Sequence, residues 1–131
     1  MKLLLDTHIW IWSVSLPRRL KRPVERALVN PRNELWLSPV SVWEVVALTE
    51  KGRLKGIRDA VEWIDRALKA IPLREAALTT EVVREAGRIR FEHRDPADRL
   101  IVATARLNGC TLLTGDGAII ASKLVPTIDN D

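Results

Sequence analysis

A single cysteine, Cys110, occurs in 131 residues. No internal disulfide can form, and a reducing compartment suits such a chain. Set between Asn108-Gly109 and Thr111-Leu112, the thiol reads as a small buried hydrophobe. There are two histidines, His8 and His93, and without a second cysteine the ligand spacing of a zinc site is missing. The glycine pattern of a P-loop is absent too, which argues against nucleoside triphosphate turnover. No stretch approaches the ~20 apolar residues of a membrane span. Only Lys2 stands between the start and Leu3-Leu4-Leu5-Asp6, too little for the apolar region of a signal peptide. A soluble, cytoplasmic protein is expected. No repeat, low-complexity tract or linker breaks the chain, so residues 1–131 read as one domain.

What is present is a core-forming chain with acids in unexpected places. The composition is 47% hydrophobic, enough for one domain with a real core at this length. The net charge is +4, a modest excess that alone points only weakly to nucleic acid. If several acids are engaged by a metal, the remaining surface is more basic than the total implies.

Read in order, Lys2 to Leu5 is a short apolar run of the kind buried on both faces of a parallel sheet. A helix follows Asp6-Thr7 and carries Trp10 and Trp12, about 200° apart on a helix of ~3.6 residues per turn. They cannot share a face. One belongs in the core, and the other is expected at a dimer or protein-partner surface. Pro17 to Arg22 is a basic break, followed by a helix from Pro23 to Val29 and a turn at Asn30-Pro31-Arg32-Asn33. Glu34–Leu37 reads as the second strand. Ser38-Pro39 supplies an N-cap and a first helical proline for a helix to about Lys51.

Ile57 to Lys69 has helical apolar spacing, and Ile71–Leu73 is the expected third strand. Thr79 or Thr80 opens a helix to about Ile89. Pro96 to Asn108 forms another, stopped at Gly109. Thr111–Thr114 is the fourth strand, a short helix covers about Ala118–Ser122, and Leu124–Ile128 is the candidate fifth. Strands alternating with helices imply a mostly parallel sheet of four or five strands covered on both faces.

Five acids then stand out against apolar surroundings: Asp6, Glu44, Asp95, Asp98 and Asp116. A carboxylate beside a hydrophobic core is costly unless it is paired or holds a cation. Ligands of open parallel sheets bind beyond the carboxyl ends of the strands, and Asp6 and Asp116 follow the first and fourth. Asp95, ahead of Pro96, reads either as an N-cap or as support for a ligand site, and Asp98 opens a helix too apolar for the surface. Glu44, flanked by Trp43 and Val45 with no further charge at 47 or 48, reads either as an edge residue paired with arginine or as a carboxylate in a pocket.

Carboxylates gathered at one cleft select magnesium or manganese over zinc. Such an ion usually serves phosphate chemistry. A polyphosphate backbone is the fitting substrate, held by Arg99, Arg94, Arg90, Arg88 and the Arg18-Arg19-Lys21-Arg22 cluster. His8 reads as structural or cleft-lining, while His93 could touch substrate.

Four blocks carry a resemblance: Leu4-Leu5-Asp6-Thr7-His8, Ser41-Val42-Trp43-Glu44-Val45, His93 to Ala103, and Leu112-Leu113-Thr114-Gly115-Asp116. In order and spacing they resemble the PIN domain, most closely the VapC-type toxin ribonucleases of type II toxin–antitoxin modules. The resemblance covers nearly the whole chain. It implies a three-layer α/β sandwich with strand order 3-2-1-4-5. It also implies Mg²⁺ or Mn²⁺ held by Asp6, Glu44, Asp98 and Asp116, with Thr114 ordering the site. The implied activity is endonucleolytic cleavage of single-stranded RNA by a homodimer that an antitoxin peptide inhibits from a groove beside the active site. Gly115 departs from a family pattern in which a basic residue is common there.

Competing readings are a non-toxin RNA-processing nuclease, a catalytically silent PIN-like module that binds RNA or protein, and a phosphoacceptor receiver. The receiver lacks its adjacent acid pair after strand one, its acceptor aspartate after strand three and its lysine after strand five.

Overall fold

The computed structural model describes residues 1–90 and 95–131. Leu3, Leu4 and Leu5 have no exposed surface, as a strand covered on both faces requires. They belong to β1 (Lys2–Leu5), the centre of a five-stranded parallel sheet. β2 (Glu34–Leu37) and β4 (Thr111–Thr114) flank it, pairing Leu4 with Trp36 on one side and with Leu112 on the other. β3 (Arg74–Glu75) and β5 (Thr127–Asp129) form the edges. The order is 3-2-1-4-5, so β1 and β4 lie side by side.

Alternation along β1 divides the core. Leu3 and Leu5 pack with Trp10 of α1 (Thr7–Ser15), Val24 of α2 (Arg22–Val29), Val45 of α3 (Pro39–Glu50) and Trp63 of α4 (Ala60–Ala70). Leu4 packs on the opposite face with Val82 of α5 (Thr80–Arg88), Ile101 and Val102 of α6 (Pro96–Asn108) and Ile119 of α7 (Gly117–Ser122). Burying each such side chain is worth about 1.5–3 kcal/mol. Among the described residues no helix is long and apolar enough to cross a membrane.

Several elements lie where local chemistry puts them. Ser38 caps α3 through its hydroxyl, 3.0 Å from the Val40 amide, and Pro39 occupies the first turn. Gly109 ends α6 in the left-handed region at φ 63°, where a Cβ would be strained.

Three elements differ from expectation. α4 begins at Ala60 rather than Ile57, because Asp59 caps it by accepting from the Glu62 amide at 3.1 Å. β3 lies at Arg74–Glu75 rather than Ile71–Leu73. Pro72 has no N–H for a ladder, and the two residues that do pair with Trp36 and Leu37 are exposed and charged. β5 starts at Thr127 rather than Leu124, after Lys123 enters the left-handed region at φ 55° and Pro126 interrupts the donors.

The tryptophans separate as their helical angle requires. Trp10 is fully buried and meets Trp63 edge-on at 5.0 Å between ring centroids. Trp12 is half-buried on the opposite side of α1. Trp43 is the tryptophan that the sequence left unremarked as exposed, at 64%.

Candidate active site

Three junctions, two of strand with helix and one of helix with helix, deliver acids to one end of the sheet. Asp6 follows β1 and caps α1, its Oδ1 accepting from the Thr7 amide at 2.8 Å. Asp116 follows β4 and caps α7, its Oδ1 accepting from the Ile119 amide at 3.0 Å. Asp95 caps α6 through the Ala97 amide at 3.0 Å, and Asp98 sits in the first turn of the same helix. A carboxylate at a helix N-terminus is locally favourable, because it meets orphan amides and the positive end of the helix dipole. Capping accounts for each aspartate separately. It does not require three capped helix starts to face one another.

They do face one another. A cavity of 380 Å³ is lined by Asp6, Glu44, Asp95, Asp98 and Asp116, with Thr7, His8, Trp12, Gly115 and Asn130 completing its walls. No lysine or arginine among the described residues lines it. Glu44 therefore takes the pocket position rather than the edge position: it projects from the middle of α3 and accepts a short hydrogen bond from the Thr7 hydroxyl of α1. That hydroxyl is also hydrogen-bonded to Ser41 at 2.9 Å. Thr114 joins the other half of the site, donating to Asp6 Oδ2 at 2.7 Å and accepting from the Asp116 amide at 3.0 Å.

The electrostatics follow from this crowding. Burial raises the Asp98 carboxyl, and Asp6, Asp95, Asp116 and Glu44 push it further, to about 8. Burial likewise raises Asp6, opposed by the Thr114 and Thr7 hydrogen bonds and by His8, with Asp116 adding to the rise. Glu44 is raised by burial and by Asp95 and Asp6, against the Thr7 hydrogen bond. A site that raises three carboxyls together stores repulsion that a cation would relieve.

As the side chains stand, no three His, Cys, Asp or Glu among the described residues close on a single ion-sized point. Asp6, Glu44 and Asp116 are held by hydroxyl and amide donors instead. The donor chemistry nonetheless suits a hard divalent cation, being carboxylate oxygen.

The structure brings Asp6, Glu44, Asp95, Asp98, Thr114 and Asp116 to one place. It does not bring Arg99 there. That guanidinium donates to the Ala86 carbonyl at 2.9 Å and ties α6 to α5, the helix pair with extensive mutual contact. Arg94 and His93 lie outside the described residues.

Sequence reasoning missed Thr7 and Ser41 as organisers of Glu44, and it missed Asn130. Asn130 is buried, accepts from the Lys21 amide at 2.5 Å and donates to the Arg19 carbonyl at 3.0 Å. The chain's tail thereby pins the basic loop at the rim of the cleft. Gly115 is explained by the same tail, since a Cβ there would stand 3.0 Å from the Asn130 carbonyl oxygen. A signal for Thr7 existed in its place directly after Asp6; none marked Asn130, which is distant in sequence from everything it holds.

The sequence matches the PIN domain over residues 3–122. The chain belongs to the PIN-domain family. Ribonuclease VapC22 of Mycobacterium tuberculosis (strain ATCC 25618 / H37Rv) is 31% identical to this PIN domain over 114 residues, 86% of this chain and 85% of that protein. Among solved structures, VapBC2 from Rickettsia felis bound to a promoter DNA fragment is similar with a TM-score of 0.73 at 15% identity, over 98% of both chains. A toxin–antitoxin complex from Klebsiella pneumoniae gives a TM-score of 0.65 at 18% identity, again over 98% of both. At such identities these two likenesses speak for the fold.

Proposed function

We propose that this PIN domain is a Mg²⁺- or Mn²⁺-dependent endoribonuclease that hydrolyses single-stranded RNA and serves as the toxin of a toxin–antitoxin pair. Its relative VapC22 is named a ribonuclease, and the toxin–antitoxin complexes share its fold. The observation that carries the reading is the convergence of Asp6, Glu44, Asp98 and Asp116 from four separate elements on one cavity. Asp6, Glu44, Asp98 and Asp116 would hold the divalent ion. The chemistry such an ion would supply there is polarisation of a phosphoryl oxygen and a lowered pKa for bound water.

The chain's own residues prepare for this. Thr114 fixes Asp6 and the start of α7 relative to each other through one hydroxyl. Thr7 fixes Glu44 against α1. Burial and the facing acids hold the Asp98 carboxyl near 8, so a bound cation would favour its ionised form. Asp95 keeps the first turn of α6 in place so that Asp98 meets the cleft.

The test is cleavage of single-stranded RNA by the purified protein. Activity is expected with Mg²⁺ or Mn²⁺, and is expected to vanish with chelator and in Asp98→Asn that retains the fold. Equal rates in that variant and the parent would remove Asp98 from the mechanism. A co-encoded small protein that suppresses the activity is the expectation for the toxin assignment, and a homodimer for the assembly.

A further inference from the structure

An acid-lined cleft repels the polyanion it is to cut, so the strand needs a hold of opposite sign beside it. A groove of 870 Å³ shares His8 and Trp12 with the acid cavity and runs away from it. Arg19, Arg53, Lys55 and Arg66 line it, and no Asp or Glu among the described residues does. Arg66 is partly committed to Glu62 at 3.9 Å; Arg53 and Lys55 are exposed on the segment between α3 and α4.

The shared wall is aromatic. The exposed His8 ring stands 5.6 Å from the Trp12 ring at an angle of 53°, and the Arg19 guanidinium lies 5.6 Å over Trp12. Asn130 holds the Arg19 carbonyl and Lys21 amide, which fixes this guanidinium's backbone at the junction of cleft and groove.

We infer that the substrate strand leaves the acid cavity across a His8–Trp12 shelf, on which a base next to the cut phosphate stacks, and that its following phosphates lie along Arg19, Arg53, Lys55 and Arg66. This rests on the nuclease reading above and names the subsite that reading lacks. Sequence-tolerant binding of single strands combines a cationic groove with aromatic platforms, and both are present here on one continuous surface. A peptide could also occupy the groove, but a polyanion emerging from the adjoining acid cavity meets these four cations directly.

The full-length protein is tested with a fluorescent random-sequence 20-nucleotide single-stranded RNA, by polarisation in chelator and by cleavage in Mg²⁺. Trp12→Ala is expected to weaken binding and raise KM about tenfold or more, with a smaller fall in kcat, while Trp12→Phe recovers most of the loss. The double variant Arg53→Ala/Lys55→Ala, at exposed positions that leave the core intact, is expected to reduce the slope of log affinity against log salt by about 1.4. Weakened binding in both variants supports the subsite even if no cleavage is detected with Mg²⁺ or Mn²⁺, in which case the nuclease reading falls alone. RNA cleavage with unchanged KM and unchanged salt slope in both variants overturns the subsite and leaves the nuclease reading standing. Loss of dimerisation or of partner-protein binding, with RNA affinity unchanged, also overturns it.

Discussion

Replacing Asp98 by asparagine should stabilise the metal-free protein at neutral pH while removing its activity. Asp98 is 7% exposed, and its carboxyl is raised from 3.8 to about 8 by burial and by the acids facing it. In the unfolded chain the group has shed its proton above pH ~4, whereas in the folded protein it keeps the proton up to about 8. Folding therefore takes up a proton between those limits, and stability falls as pH rises through that window. Above about 8 both states are ionised and the slope disappears.

At pH 7.5 the penalty approaches a ceiling of ~5 kcal/mol, taking about 1.4 kcal/mol for each pH unit above the unfolded value. Relaxation and water entry reduce what is realised. Even a quarter of the ceiling raises Tm by ~3 °C or more in a domain of this size. The assay is thermal unfolding in chelator from pH 5 to 8.5 for parent and Asp98→Asn. The parent curve is expected to fall relative to the variant as pH rises, with the gap largest near pH 8. Added Mg²⁺ should narrow the gap by stabilising the parent selectively. Parallel curves, or a variant less stable than the parent at pH 8, would show that burying the Asp98 carboxyl does not destabilise the fold.

Two further expectations concern the groups that hold the acids in place. Thr114→Val leaves Asp6 Oδ2 and the Asp116 amide without their shared hydroxyl; it should cost about 2 kcal/mol or more by denaturant unfolding and depress cleavage, while Thr114→Ser stays within about 1 kcal/mol of the parent. Asn130→Ala removes the contacts to Lys21 and Arg19, so it should cost about 1–2 kcal/mol and speed hydrogen exchange at the Lys21 amide.

Much of this architecture could be read from local chemistry. β1 announces itself because three consecutive leucines cannot alternate between core and water, and α6 because Asp95-Pro96 and Gly109 mark both of its ends. The edge strands were harder. β3 is two charged residues recruited by the backbone of β2, and nothing in Arg74-Glu75 distinguishes it from a loop.

The site was legible to the same degree. Acids in apolar settings pointed to Asp6, Glu44, Asp98 and Asp116, because desolvation makes such positions costly without a purpose. Arginine carries no such mark: Arg99 serves the Ala86 carbonyl, and its sequence gives no hint whether it faces substrate or a neighbouring helix. Asn130 acts across more than one hundred positions, a contact that only the fold creates.

A divalent cation shared by these carboxylates is what the proposed chemistry depends on. Titration of Mn²⁺, followed by the loss of its free electron paramagnetic resonance signal, tests it in the parent and in Asp6→Asn, Glu44→Gln, Asp98→Asn and Asp116→Asn. The parent should bind Mn²⁺, and each folded variant should bind it at least tenfold more weakly. Parent protein that leaves Mn²⁺ free, or variants that all bind as the parent does, would contradict a shared site.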